Sequence, residues 1–292
     1  MSSTLSTIES TVLQKTAVTS FSPNRHFNYI KLKLTEIFEE ELNSYNPILL
    51  KVNSSVINRI AMFLSGSIDR AASIGVAGET ASGKSTVALD IIDTIQAFAQ
   101  EFELGNVITR INTDDYYYDR SEMVKAAGSF ANFAKNYDLD VPEALELELM
   151  KKHIFQLLSG KSVRLPKYDM SGTAIRFDNY TLANPSRIII SEGLFSLTEK
   201  IKDAFDFKIY VDVSKEVQSQ RFFRRAAERG LGESANGIFE NASNKAEVYI
   251  RPCSEDADIV LSGEASRDRY KAFLNRILQI VQEVHFDEVV IR

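Results

Sequence analysis

The sequence predicts an α/β protein with a doubly wound parallel sheet that carries helices on both faces. Short apolar, β-rich runs alternate with helical stretches along most of the 292 residues, which is the pattern of successive βα units. Runs such as Ile188-Ile189-Ile190 are continuously apolar, as expected of strands that helices cover on both faces. We predict strands over 73–77, 107–113, 187–191, 207–213 and 257–261, and a further one over 288–291.

Two extra helices are predicted ahead of the first of these strands. Between Phe27 and Tyr45, apolar residues recur at three- and four-residue steps with glutamates between them, which indicates an amphipathic helix. A second helix is predicted from Ser54, a good N-cap residue, to about Gly66. The chain therefore divides into three predicted regions, namely a disordered tail over 1–22, an N-terminal helical extension over 23–70 and an α/β domain over 71–292.

Composition excludes several classes of protein. A chain with 44% hydrophobic and 25% charged residues is neither disordered nor of low complexity. Its 34 Lys and Arg against 40 Asp and Glu leave a net charge of −6, which disfavours nucleic acid as a partner. No apolar run approaches the roughly 18 residues that cross a bilayer, so no membrane partner is expected. The single cysteine and three dispersed histidines offer neither a disulfide nor a zinc site, which favours a cytoplasmic location.

A glycine-rich motif follows the first predicted strand of the domain. Residues 78–85 read Gly-Glu-Thr-Ala-Ser-Gly-Lys-Ser, and a helical run comes directly after them. In that context the pattern G-x-x-x-x-G-K-[ST] predicts a P-loop, whose backbone N–H groups wrap a nucleotide phosphate, with Lys84 on the β/γ oxygens and Ser85 on Mg²⁺. We predict a P-loop NTPase-type fold and ATP contacts from Gly78, Glu79, Thr80, Ala81, Ser82, Gly83, Lys84, Ser85 and Thr86.

Carboxylates follow two of the predicted strands, at the sheet edge where open α/β proteins bind ligands. Asp114 and Asp115 follow the run 107–113, and Glu192 follows the run 187–191. One such group can accept the proton of an acceptor hydroxyl, and another can hold Mg²⁺ directly or through water. The residues alone do not choose between Asp114 and Asp115 as the base.

A basic helix is predicted after the strand 207–213. Its arginines are spaced i, i+3, i+4 and i+8, which places them on one face. They are Arg221, Arg224, Arg225 and Arg229. Facing a nucleotide, they would stabilise the charge that spreads over a transferred phosphoryl group. With Gly230 and Gly232 beyond it, this helix is predicted to belong to a lid region over 215–250.

Taken in order, these segments resemble the uridine kinase and phosphoribulokinase family of P-loop kinases. The resemblance spans about 72–262 and is carried by residues 78–85, 113–117, 136–138, 165–169, 190–194, 210–212 with the arginines, and 257–260. It implies ATP-dependent transfer of a phosphoryl group to the hydroxyl of a small molecule, with ATP as donor and Mg²⁺ as cofactor. The segment 121–177 would then form an acceptor-side lobe.

The resemblance also implies a role for individual residues. Asp114 would be the base, assisted by Lys84 and Arg224. Ser85, Glu192 and Asp114 would bind the metal, and Arg221 and Arg225 would join the ATP site. Residues on the acceptor side would be Tyr117, Tyr137, Asp138, Tyr168 and Arg176.

The sequence predicts the acceptor less specifically than it predicts the reaction class. The order and spacing of the segments are most similar to uridine kinases, which favours the 5′-hydroxyl of uridine or cytidine. Uridine kinases usually carry a histidine a few residues after the Tyr-Asp pair, and the stretch 170–176 has none. A pantothenate kinase, a sugar-phosphate kinase and a catalytically silent nucleotide-binding protein therefore remain alternatives, and a homo-oligomer remains open. A GTPase is disfavoured. The stretch Asn244-Lys245-Ala246-Glu247 ends in Glu247, at the position where a GTPase is expected to carry an aspartate that recognises guanine.

Overall fold

The computed structural model describes residues 23–134 and 136–286. Its strands are β1 Leu49–Val52, β2 Ala72–Ala77, β3 Ile108–Asn112, β4 Val163–Leu165, β5 Thr181–Ala183, β6 Ile188–Glu192, β7 Phe207–Asp212 and β8 Ile259–Ser262. Six of them form one sheet in the order β1-β8-β7-β2-β6-β3, and β4 pairs with β5 in a separate hairpin. Each of the five strands predicted between 73 and 261 is present within two residues of its expected bounds.

Helices cover both faces of the sheet, as the alternating pattern predicts. They are α1 Pro23–Leu42, α2 Ser54–Leu64, α3 Lys84–Glu101, α4 Ser121–Ala127, α5 Phe130–Ala134, α6 Leu147–Leu158, α7 Lys215–Glu228, α8 Ser234–Tyr249, α9 Cys253–Asp256 and α10 Arg267–His285. Buried residues of α1, α2, α3 and α10 pack on one face, and buried residues of α6 and α8 pack on the other. The doubly wound α/β architecture is therefore confirmed. No helix in the described ranges has the length and apolar content to span a bilayer.

The N-terminal extension contains a strand that the sequence analysis misses. Both expected helices are present, but β1 lies between them and pairs antiparallel with β8, with Leu49 opposite Leu261. The region 23–70 is thus not purely helical, because it supplies the edge strand of the sheet. The N-cap of α2 is Asn53 instead of Ser54, since its side chain accepts a hydrogen bond from the Ser55 N–H at 3.1 Å. The predicted tail over 1–22 and the predicted strand over 288–291 lie outside the described residues.

The parallel strands place the candidate site at one edge of the sheet. β2, β3, β6 and β7 run in the same direction, so the loops after their carboxyl ends meet. The P-loop follows β2, a short 3₁₀ helix over Thr113–Tyr116 follows β3, and α7 follows β7. The carboxylates and the arginines predicted from the sequence are thereby brought to the same end of the domain.

Candidate active site

The P-loop connects β2 to α3 and forms a cradle at the start of that helix. Gly83, at the N-cap, has φ +98°, a left-handed conformation that favours glycine, and no side chain caps the helix there. Ala81 also adopts a left-handed conformation, with φ +61°. The loop after β8 presses against this turn, because a Cβ on Gly263 would lie 1.9 Å from the Ser82 carbonyl oxygen. The Lys84 N–H donates to the Ser82 hydroxyl at 3.4 Å, and the glycine N-cap leaves the next amide groups of α3 open to an anion.

Ser85 and Glu192 meet beside the P-loop. The Ser85 hydroxyl donates to Glu192 Oε2 at 2.9 Å, and Arg110 Nη2 donates to Glu192 Oε1 at 2.8 Å. The Thr113 hydroxyl donates to the Glu192 carbonyl at 2.8 Å, which joins the ends of β3 and β6. The Glu192 carboxylate is buried. Ser85 and Glu192 come from separate parts of the sequence, and both are predicted to hold a metal. In the fold they lie in direct contact.

Lys84 and Asp114 influence each other's protonation at this site. Burial lowers the pKa of the Lys84 ammonium, and the carboxylates of Asp114 and Glu192 oppose that shift. Burial raises the pKa of the Asp114 carboxyl, and the charge of Lys84 opposes it. The opposite charges of the two groups therefore offset part of their desolvation.

Asp114 and Asp115 lie in different surroundings, although they are adjacent in sequence. Burial raises the pKa of both carboxyls. The Asp115 carboxylate accepts a hydrogen bond from the backbone N–H of Tyr168 at 3.3 Å and so anchors the segment that carries this tyrosine. Asp114 instead faces Lys84 and Glu192, on the side of the P-loop. The surroundings of the two carboxyl groups therefore differ, and the assignment of Asp114 as the base stays a prediction.

The arginine-rich helix α7 lies over the P-loop. Arg221 donates to the Ser82 carbonyl at 3.3 Å and to the Gly263 carbonyl at 2.9 Å. Burial lowers the pKa of the Arg225 guanidinium, and the neighbouring arginines lower it further. Arg224 is exposed on the same helix, and Arg229 is its C-cap residue. The helix therefore turns a concentrated positive charge towards the phosphate site.

A cavity of about 470 Å³ adjoins the P-loop and is large enough for a nucleoside. Its walls are the start of α3, the arginines of α7 and the segment 263–267. Thr86, which the sequence assigns to the ATP site, lines it together with Arg221, Arg224 and Arg225. At its far end the Arg267 Nε–H donates to the Asp90 carboxylate at 2.8 Å. The cavity thus leaves room beside the P-loop for the base of a nucleotide, as the predicted ATP site requires.

Sequence reasoning misses two partners of Glu79 in the P-loop. Arg251 donates from Nε and Nη2 to its two carboxylate oxygens, at 2.6 and 3.1 Å. The Gln218 amide donates to the same carboxylate at 3.1 Å and to the Thr80 carbonyl at 3.0 Å. Neither residue belongs to a recognisable local pattern, because each meets Glu79 only through the fold. Gln218 fixes the P-loop to α7, and Arg251 fixes it to the turn that follows α8.

Tyrosines gather on the acceptor side of the site. The rings of Tyr117 and Tyr168 are 5.2 Å apart between centroids, and the buried Tyr117 hydroxyl donates to the Leu139 carbonyl at 3.2 Å. Burial raises the pKa of Tyr168 to about 12. Tyr137 stacks on Phe133 with centroids 5.0 Å apart. Its hydroxyl accepts a hydrogen bond from Arg120 Nε at 3.0 Å. The three tyrosines assigned to the acceptor from the sequence lie near one another, and the hydroxyls of Tyr117 and Tyr137 already have partners in the chain. Their contact with an acceptor stays a prediction.

Asp138 and Arg176 both form ion pairs within the chain. Lys245 Nζ on α8 lies 2.5 Å from Asp138 Oδ2, and the other oxygen accepts the Asp140 N–H at 2.9 Å. Arg176 pairs with the Glu146 carboxylate. Lys245 escapes sequence reasoning, because α8 reaches the 138–140 segment only in the folded chain. Any acceptor that binds Asp138 therefore does so beside a positive charge from the lid region.

The oxygen donors at the site fit Mg²⁺. Ser85, Glu192 and Asp114 offer one hydroxyl and two carboxylates, and the first two are already in contact. No group of three acidic, histidine or cysteine side chains that could hold a metal alone occurs within the described ranges. Mg²⁺ usually takes one or two carboxylates and completes its shell with water and phosphate oxygens. The site can supply that share of the ligands.

Comparison with known proteins places the chain in a family. The family model described as "Phosphoribulokinase / Uridine kinase family" matches residues 73–268, about two thirds of the chain. The chain belongs to this family. It is an ATP-dependent kinase, and the resemblance predicted from the ordered motifs is confirmed.

Curated uridine kinases are among its relatives. The chain is 32% identical to the uridine kinase of Halobacterium salinarum over 194 residues, which cover 64% of this chain and 78% of the relative. It is also 32% identical to the uridine kinase of Clostridium tetani, over 72% of this chain and 96% of the relative. Among solved structures, phosphoribulokinase from Rhodobacter spheroides matches with a TM-score of 0.50 and 18% identity, over 66% of this chain and 70% of that one. That last likeness concerns the fold alone.

Proposed function

We propose that the protein transfers the γ-phosphoryl group of ATP to the 5′-hydroxyl of a ribonucleoside, uridine or cytidine. The observation that carries this proposal is the position of Tyr117, whose ring lies 5.2 Å from that of Tyr168 and whose hydroxyl donates to the carbonyl of Leu139, the residue after Asp138. Burial raises the pKa of Tyr117 well above the ordinary value, and the charges of Asp114, Asp140 and Asp138 raise it further. A ribose can then turn its 5′-hydroxyl towards Asp114 and its cis-diol towards Asp138. Tyr168 offers a flat face for the base, and Tyr137 lies near it with its ring between Phe133 and Arg120.

In this proposal each group near the phosphates has one task. Lys84 neutralises the β and γ oxygens, and Arg224 and Arg225 stabilise the charge of the group in transfer. Ser85 and Glu192 would hold Mg²⁺, which would neutralise the triphosphate further when bound. Asp114 accepts the proton of the attacking hydroxyl. Asp115 is a poorer candidate for this proton, because its carboxylate holds the Tyr168 N–H.

A lid over the site accords with the same contacts. Helices α7 and α8 belong to the predicted lid region 215–250, and they contact the P-loop through Gln218 and the acceptor side through Lys245. Closure of these helices would exclude water from the transfer step.

Steady-state ATP consumption with a panel of acceptors tests the proposal. The panel is uridine, cytidine, pantothenate, ribulose 5-phosphate and glycerate, each with ATP and Mg²⁺. Turnover with a ribonucleoside, and a product that carries phosphate on the 5′-oxygen, would support the assignment. Robust turnover with pantothenate or a sugar phosphate and none with nucleosides would overturn the acceptor and leave the kinase class intact.

A further inference from the structure

Arg120 stands beside the segment where uridine kinases usually carry a histidine and where this chain has none. Its backbone N–H donates to the Ala174 carbonyl at 2.9 Å, which ties it to the stretch 170–176. Its guanidinium lies over the rings of Tyr118 and Tyr137, with Cζ 5.2 Å from each centroid. Its charge also lowers the pKa of Tyr168 against the effect of burial. Arg120 therefore belongs to the aromatic part of the acceptor side.

The orientation of this guanidinium is fixed, but the N–H groups on two of its nitrogens remain available to donate hydrogen bonds. Nε donates to the Tyr137 hydroxyl at 3.0 Å, and the two tyrosine faces restrict the plane of the group. Arg120 forms no ion pair with any carboxylate in the part of the chain that the structure describes. The Nη1 and Nη2 groups thus present N–H donors and no acceptor.

The surrounding charges argue against an anionic ligand for Arg120. The carboxylates of Asp119 and Asp169 both act on neighbouring Tyr168. Each carboxylate already accepts hydrogen bonds from backbone N–H groups. Asp119 accepts those of Ser121 and Arg176, and Asp169 accepts that of Ser171. Arg120 acts on the same tyrosine, so negative and positive charges are both present in this part of the acceptor side. A neutral ligand with hydrogen-bond acceptors suits this arrangement better than a second anion does.

We propose that Arg120 recognises the base of the acceptor nucleoside by hydrogen bonds and favours cytosine over uracil. This inference rests on the proposed function. On its Watson–Crick edge cytosine has two adjacent acceptors, O2 and N3, which a two-donor fork can satisfy together. Uracil has a donor, N3–H, at the second position, so the same fork makes one hydrogen bond and faces a like donor. A bidentate pair of this kind typically discriminates between bases by about tenfold or more. Arg120 is thus a specificity-determining residue.

The kcat/KM ratio of cytidine to uridine tests the inference. We expect about a tenfold or greater preference for cytidine in the natural protein. Arg120→Gln should bring the ratio close to one, because a glutamine amide can present either a donor or an acceptor. Arg164→Gln is the matched control, since Arg164 also lies over a tyrosine ring, that of Tyr180 at 4.5 Å, but on the β4–β5 hairpin. It should leave the ratio unchanged.

A base analogue keeps the test valid if Arg120→Gln disturbs folding. 3-Deazacytidine lacks the N3 acceptor, so the natural protein should use it about as poorly as uridine, and Arg120→Gln should not discriminate further against it. Equal use of cytidine, uridine and 3-deazacytidine by the natural protein would overturn the role of Arg120 and leave the proposed function standing. Absence of turnover with every nucleoside, together with turnover of another acceptor, would instead refute the proposed function.

Discussion

Arg251 forms a bidentate ion pair with the carboxylate of Glu79, the second residue of the P-loop. Its Nε lies 2.6 Å from one carboxylate oxygen, and its Nη2 lies 3.1 Å from the other. The two residues are 172 positions apart in the chain. An unpaired carboxylate beside the phosphate cradle would repel a triphosphate. The bidentate ion pair cancels that charge and ties the loop to the segment that follows α8.

We predict that Arg251→Met raises the KM for ATP by about tenfold, because it leaves the Glu79 charge uncompensated next to the phosphates. The double variant Arg251→Met with Glu79→Gln should recover most of the affinity, since it removes both charges. Initial rates at varied ATP measure the effect, and thermal melting checks folding. An unchanged KM in a folded Arg251→Met protein would show that the pair does not influence nucleotide binding.

Lys84→Ala should abolish turnover and preserve the fold. The ammonium group neutralises transferred charge and is not part of the hydrophobic core, so we expect a loss in kcat/KM on the order of a hundredfold or more with little change in melting temperature. Lys271→Ala is a suitable control, because Lys271 is exposed on α10 away from the site. Near-normal turnover by folded Lys84→Ala would contradict the kinase mechanism proposed here.

Asp114→Asn should be far more damaging than Asp115→Asn. Loss of a general base costs on the order of a hundredfold in kcat, with a smaller effect on the KM for ATP. Asp115→Asn removes the acceptor of the Tyr168 N–H, so it should mainly raise the KM for the acceptor. A larger loss of kcat in Asp115→Asn would reverse the two assignments.

The pH dependence offers an independent check on Asp114. A base must be ionised, and burial raises the pKa of this carboxyl above the ordinary value of 3.8. Rates should therefore fall as the pH drops through that raised pKa, and the fall should disappear from the residual activity of Asp114→Asn. If the rates of both proteins fall over the same acidic pH range, the titration belongs to another group.

The sequence indicates which residues of the phosphate half of the predicted site lie together, because these residues follow local rules. Ser85 lies in the first turn of α3 after a glycine turn, and Glu192 ends a buried strand. Parallel strands bring their carboxyl ends to one edge of the sheet. Their observed contact at 2.9 Å follows from those two facts. Partners such as Arg251 and Lys245 come from α8 and the turn after it, and no periodicity indicates which carboxylate each will meet.

Asp258 illustrates a second limit of sequence reasoning. The segment 257–260 contributes to the family resemblance, yet it says nothing about what the aspartate does. In the fold, buried Asp258 accepts the Lys208 N–H at 2.9 Å and pairs with Arg59 on α2. It therefore anchors the N-terminal extension to the sheet. A structural carboxylate and a catalytic one look alike in a sequence, and only burial and partners separate them.

The last prediction concerns Asp138 and its partner Lys245. If Asp138 accepts hydrogen bonds from the acceptor diol, then uridine should be a better substrate than 2′-deoxyuridine for the natural protein, by about tenfold in kcat/KM. Asp138→Asn should lower kcat/KM for uridine by a similar factor and should lower it little further for the deoxy compound, because both changes remove the same interaction.

Lys245→Met separates this role from the stability of the ion pair. It breaks the 2.5 Å contact but leaves the Asp138 carboxylate in place, so the preference for the 2′-hydroxyl should survive even if the melting temperature falls. Competition assays with both nucleosides at equal concentration measure that preference in all three proteins. Additive losses from Asp138→Asn and from the missing hydroxyl would mean that the carboxylate serves the contact between α8 and the 138–140 segment and that the diol is bound elsewhere.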